Sequence, residues 1–131
     1  METFKVLIVD DLPESRWLVR LFLRNSPYHL IEASSASEAI MVLKTRDIDL
    51  ILMDLQMPEV DGYQTTTYLR QQGFRKPIVA FTAHAMHNEI AKCFEVGVDE
   101  VLIKPIRKRD LFNTLHTYSK GKIPSSAPSC R

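Results

Sequence analysis

Short apolar runs recur along the chain: Val6-Leu7-Ile8-Val9, Leu50-Ile51-Leu52-Met53, Ile78-Val79-Ala80-Phe81 and Val101-Leu102-Ile103. Runs of this length, without polar alternation and bounded by turn residues, are the pattern of strands buried on both faces of a parallel sheet. Between them the apolar spacing turns helical. The pattern predicts strands over 5–9, 29–33, 50–53, 77–81 and 100–103. It predicts helices over 13–25, from the Ser35-Ala36-Ser37-Glu38 capping box to Thr45, from the turn-rich Pro58-Glu59-Val60-Asp61-Gly62 to Gln72, and over 87–96 and 108–119. Asp11 is placed to cap the first helix, with Pro13 in its first turn. Gly73 and Gly97 supply left-handed exits. Leu18, Leu21 and Phe22, and likewise Leu111, Phe112 and Leu115, recur at helical spacing and are expected in the core.

Strict β-α alternation implies an α/β fold, with helices on both faces of a parallel sheet joined by right-handed crossovers. Beyond Ser119 the character changes. Residues 120–131 are rich in Pro and Ser and carry little to bury, so they read as a flexible tail or the start of a linker, leaving 1–119 as one domain.

Composition narrows the field. The 131 residues are 45% hydrophobic and 25% charged, with a net charge of +1, which argues against a general nucleic-acid-binding domain. No apolar run approaches the roughly 18 residues that span a bilayer. The opening Met1-Glu2-Thr3-Phe4 lacks the features of a secretory signal. Cys93 and Cys130 are too few for a zinc site or disulfide framework, and Cys93 is expected in the core. The four histidines, His29, His84, His87 and His116, form no ligand pattern, and Arg16, Arg20 and Arg24 read as one solvated stripe. The cytoplasm is the default location.

Each apolar run ends on a chemically distinctive residue: Asp10-Asp11, Asp54, Thr82 and Lys104. On a parallel sheet these converge at the carboxyl edge, where open α/β sheets bind ligands. Taken singly, each reads as a cap or a turn residue. Jointly they describe phosphoryl transfer to a carboxylate. Clustered carboxylates repel, and a divalent cation such as Mg²⁺ relieves the repulsion. In that reading Asp10 and Asp11 hold the metal and Asp54 attacks. Lys104 neutralises a phosphoryl oxygen and Thr82 donates a hydrogen bond to another.

With these residues in place the chain resembles the receiver domain of two-component response regulators, over about Phe4 to Ser119. The resemblance rests on Asp10-Asp11, Asp54, Thr82, Lys104-Pro105, the stretch from Met53 to Gly62, and Ala80 to Met86. The style of Asp10-Asp11-Leu12-Pro13 with Ser15-Arg16 is similar to receivers of hybrid histidine kinases and phosphorelay proteins, although here the domain starts at Met1. It implies a flavodoxin-like (βα)5 fold with strand order 2-1-3-4-5. It implies Mg²⁺ held directly by Asp11, Asp54 and the Gln56 carbonyl and through water by Asp10, a cis Lys104-Pro105 bond, and Ala83 N–H joining Thr82 at the phosphoryl group. It also implies a phosphoacceptor switch rather than a turnover enzyme. Its partners would be a histidine kinase or histidine phosphotransfer protein and an output domain or protein, with no direct contact to nucleic acid or membrane. One departure stands out: Val101 occupies the place where many receivers carry Tyr or Phe.

Two enzyme-like alternatives fit less well. A haloacid-dehalogenase-type phosphatase needs a second Asp two residues after the nucleophile, where this chain has Gln56, which exchanges no proton near neutral pH. A flavodoxin cradles phosphate in its first loop, which Asp10-Asp11 would repel. An interaction module that has lost phosphorylation remains compatible with the fold, but the complete five-residue set argues against it.

Overall fold

The computed structural model describes residues 3–57, 61–83 and 86–120. Five strands, β1 (Phe4–Val9), β2 (Tyr28–Ala33), β3 (Leu50–Asp54), β4 (Ile78–Thr82) and β5 (Glu100–Ile103), alternate with five helices, α1 (Pro13–Leu23), α2 (Ala36–Thr45), α3 (Gly62–Gln71), α4 (His87–Val96) and α5 (Lys108–Ser119). The sheet is parallel throughout, in the order β2-β1-β3-β4-β5. Every element read from the sequence is present.

Alternation along the strands divides the core in two. Leu7, Val9, Ile51, Met53, Ile78 and Ala80 face α2, α3 and α4, packing with Ala39, Leu69 and Cys93. Val6, Ile8, Leu50, Leu52, Val79 and Phe81 face α1 and α5, packing with Val19, Leu23, Leu111, Phe112 and Leu115. Both faces of the central strands are therefore dry, which is why their sequences show no polar alternation.

The differences from expectation are local. Strands β3 and β4 run one residue further, taking in Asp54 and Thr82. Helix α1 stops at Leu23 rather than near Asn25, because Asn25 takes a left-handed φ of 62°. Ser26 then closes the end, donating to the Leu23 carbonyl from N at 3.1 Å and from Oγ at 2.6 Å. Leu21 is 37% exposed, and α1 buries Val19 and Leu23 instead. Only half of the expected box on α2 forms. Ser35 Oγ accepts from Glu38 N, but the Glu38 carboxylate turns to Ser34. The full reciprocal box is on α3, between Asp61 and Gln64. The segment Pro58-Glu59-Val60, His84 and residues 121–131 lie outside the described residues.

At the amino ends of β4 and β5, Arg70 acts as a staple. Its Nε and one terminal nitrogen donate to the Gly97 carbonyl at 3.0 and 2.8 Å, and the latter nitrogen also meets Asp99 at 2.8 Å. The other donates to the carbonyls of Phe74 and Lys76.

Candidate phosphoacceptor site

Strand register brings the site together. Ile8 pairs with Leu52, so two residues further on Asp10 lies beside Asp54. Asp54 pairs with Phe81, and Phe81 with Leu102. Lys104, two beyond Leu102, passes over the Phe81 ring with Nζ 4.9 Å from its centroid. It ends between the two carboxylates, 3.3 Å from Asp10 Oδ2 and 3.5 Å from Asp54 Oδ1. The aromatic face and the two anions both favour the ammonium there.

Asp10 is 0% exposed and held from four directions. Its N–H donates to Ala33 O at 3.1 Å, continuing the β1–β2 ladder. Its carbonyl accepts from the Arg16 guanidinium at 2.7 Å. Its Oδ1 accepts from Leu12 N at 2.9 Å, and Oδ2 faces Lys104. Asp54 is 1% exposed and accepts from Gln56 N at 3.1 Å. Burial pushes the Asp54 carboxyl up to about 6, and the Asp10 charge pushes the same way, against the pull of Gln56 N–H and Lys104.

Asp11 is the contrast. It does not cap α1, whose N-cap is Leu12 with no side-chain cap bond. Instead its Oδ1 is buried without a hydrogen-bond partner among the described residues. Carboxylate oxygens of Asp10, Asp11 and Asp54 lie within 4.8 Å of one another. Three hard oxygen donors at that spacing, one of them unsatisfied, fit an oxygen-seeking divalent cation such as Mg²⁺.

Thr82 closes β4, and its carbonyl accepts from Lys104 N at 2.8 Å. Ala83 and Gln56 are exposed at the rim. The Lys104-Pro105 peptide is cis. Val101 is half-buried and packs against the core beneath α4. The strand ends thus bring together Asp10, Asp11, Asp54 and Lys104, with Thr82 one strand position away.

A family model, the response regulator receiver domain, matches residues 6–116. The chain belongs to that family. Among curated relatives, this receiver is 37% identical over 115 residues to the sensor histidine kinase RcsC of Salmonella typhi, covering 88% of the chain and 12% of the relative. It is 38% identical over 129 residues to the sensor histidine kinase GacS of Pseudomonas protegens, covering 95% and 14%. It therefore spans about an eighth of the length of those relatives. Among solved structures, the Vibrio cholerae chemotaxis protein CheY4 superposes with a TM-score of 0.84 at 27% identity, covering 88% of this chain and 98% of that one. These likenesses establish a receiver domain of two-component signalling with the flavodoxin-like order. No helix among the described residues is long and apolar enough to cross a membrane.

Residue spacing misplaced Arg16. It is part-buried rather than part of a solvated stripe, with its guanidinium bonded to the Asp10 carbonyl and its Nε 3.4 Å from Glu32. Arg20 is exposed but forked onto Glu32 at 2.6 and 2.7 Å. A side chain folding back across a helix N-terminus depends on tertiary neighbours that residue spacing does not carry.

Proposed function

We propose that this receiver accepts a phosphoryl group on Asp54 from a phosphohistidine, in a Mg²⁺-dependent reaction, and signals or relays from there. The observation that supports it most is the placement of Lys104 Nζ between Asp10 and Asp54 beside an unsatisfied Asp11 oxygen. An Asp54 oxygen attacks phosphorus, the N–P bond of the donor breaks, and the departing imidazole takes up a proton from water. Asp11, Asp54 and the Gln56 carbonyl would hold Mg²⁺ directly and Asp10 would hold it through water, and the ion would supply charge neutralisation for the transferring group. Lys104 is poised to meet a phosphoryl oxygen, with Thr82 and Ala83 N–H serving the others. Asp10 holds Lys104 in position until then. Catalysis here is placement and electrostatics, with no turnover of an external substrate.

The donor is a histidine kinase or histidine phosphotransfer protein, and the recipient an output domain or protein. A cytoplasmic setting follows, since such donors draw their phosphoryl group from ATP. Residues 1–119 form the receiver and 120–131 a tail or linker. Trp17, 55% exposed on α1, is the anchor offered to the donor.

Incubation with acetyl phosphate and Mg²⁺, read by intact mass, should add one phosphoryl group. Asp54→Asn should abolish it, as should EDTA. Labelling that survives in Asp54→Asn would overturn the assignment.

A further inference from the structure

We infer that Arg16 is a positioning residue for the metal pocket: its hydrogen bond to the Asp10 carbonyl aims the carboxylate of Asp11. The inference rests on the Mg²⁺ reading above. The Asp10 carbonyl and the Asp11 N–H belong to one planar peptide unit. Whatever fixes the direction of that carbonyl fixes where the Asp11 backbone begins. Arg16 fixes it at 2.7 Å. Nothing comparable holds the Asp11 side chain, whose buried Oδ1 has no partner among the described residues. The aim of Asp11 is thus set through its backbone.

The location of Arg16 is otherwise unfavourable. It stands in the N-terminal part of α1, where N–H groups and the helix dipole already concentrate positive charge. It also adds a cation close to a pocket that should attract one. Glu32 on β2 compensates, facing Arg16 Nε at 3.4 Å while gripping Arg20 with both oxygens. Glu32 is half-buried, and its carboxyl is drawn below its ordinary range, first by the hydrogen bond from Arg20. A chain of contacts therefore runs from the solvent face of α1, through Glu32 and Arg16, to the Asp10–Asp11 peptide. Partners lying beyond direct metal ligands typically change metal affinity by tenfold or more when removed.

Charge and geometry make opposite predictions, so the sign decides. If Arg16 acted only as a nearby positive charge, removing it would tighten Mg²⁺ binding. If it positions Asp11, removing it weakens binding. The test is calorimetric titration of the full chain with MgCl₂, comparing wild type with Arg16→Met, which keeps the long stem but has no donor, and with Arg16→Lys. We expect Kd to rise roughly tenfold in Arg16→Met and to recover at least half of that loss, on a logarithmic scale, in Arg16→Lys. Arg24→Gln, the same charge change on the exposed end of the helix, should stay within about twofold. Labelling by acetyl phosphate should follow the same order in the Mg²⁺ concentration for half-maximal rate, while the rate at saturating Mg²⁺ changes far less. Should Arg16→Met not fold, Arg16→Ala is read by the same criterion. Unchanged or tighter binding in the donor-less variant overturns the inference, as does Arg16→Lys binding no better than Arg16→Met, or an equal loss in Arg24→Gln. Absence of Mg²⁺ binding by wild type would overturn the metal reading itself, and this one with it.

Discussion

A Cβ placed on Gly62 would overlap the carbonyl oxygen of Asp54 and come within 2.8 Å of the Leu55 Cα. The first residue of α3 is packed directly against the backbone that carries Asp54, and its N–H donates to the Leu55 carbonyl at 3.3 Å. Backbone atoms cannot step aside as a flexible side chain can. Gly62→Ala should therefore lower stability by about 1–3 kcal/mol and slow acetyl-phosphate labelling of Asp54, because relief of the clash moves that strand end. Gly97 gives the matched comparison. Its φ is 108°, and an added Cβ would come within 2.8 Å of the Arg70 Cγ, so Gly97→Ala should be costly too, at about 1–2 kcal/mol. Its labelling rate, measured where both variants remain folded, should be that of wild type.

Asp54 makes Mg²⁺-free stability depend on pH. Its carboxyl reaches about 6 in the folded protein against an ordinary value of 3.8. A raised carboxyl means that the folded state holds its proton longer than the unfolded chain does. Stability should accordingly fall as pH rises from about 4 to about 6, and flatten above. Asp54→Asn removes this penalty, so denaturant unfolding in EDTA should show the variant more stable by about 1–3 kcal/mol at pH 7, with the gain vanishing near pH 4. A constant difference across that range would contradict the argument. Labelling and Mg²⁺ binding both need the carboxylate, so both should decline below about pH 6.

The two leading acids should separate by phenotype. Asp11 contributes an oxygen with no partner among the described residues, so Asp11→Asn should cost at least about tenfold in Mg²⁺ affinity while leaving the melting temperature unchanged or higher. Asp10 is bonded to Leu12 N and paired with Lys104, so Asp10→Asn should also lower the melting temperature. Calorimetric Mg²⁺ titration and thermal melts of both variants check this.

Arg70 should matter to the fold and not to the chemistry. Arg70→Lys keeps the charge but loses the planar fork that serves Gly97, Asp99, Phe74 and Lys76 together. A loss of about 2–4 kcal/mol in urea unfolding is expected, with Mg²⁺ affinity unaltered.

The layout was legible because each layer of the pattern agreed with the next. Strands dry on both faces left continuous apolar runs, and Gly73 and Gly97, at φ of 95° and 108°, punctuate the chain where only left-handed residues fit. The site was legible because strand ends are sequence positions: Asp10, Asp54, Thr82 and Lys104 each follow their own run. What stayed hidden depends on where side chains turn after folding. Glu38 chose Ser34 over Ser35, and Asp11 left its capping role to point a bare oxygen at the pocket. Arg16 left its stripe for a backbone carbonyl. The Asp61–Gln64 box was visible as Asp-x-x-Gln, but it is embedded in a turn-rich stretch whose Pro and Gly draw the eye first.

The bond from Lys104 N to the Thr82 carbonyl extends the β4–β5 ladder out to the ends of those two strands. Lys104 and Thr82 consequently share one backbone edge, while Asp10 is tied to the β1–β2 ladder through Ala33. For anyone building chimeric receivers, the inheritable unit is that edge: exchanging β5 alone between two receivers would transplant a lysine whose height is set by a threonine left behind. Hybrids joined after α3, carrying β4 through α5 as one block, should keep the spacing intact where hybrids joined between β4 and β5 lose it.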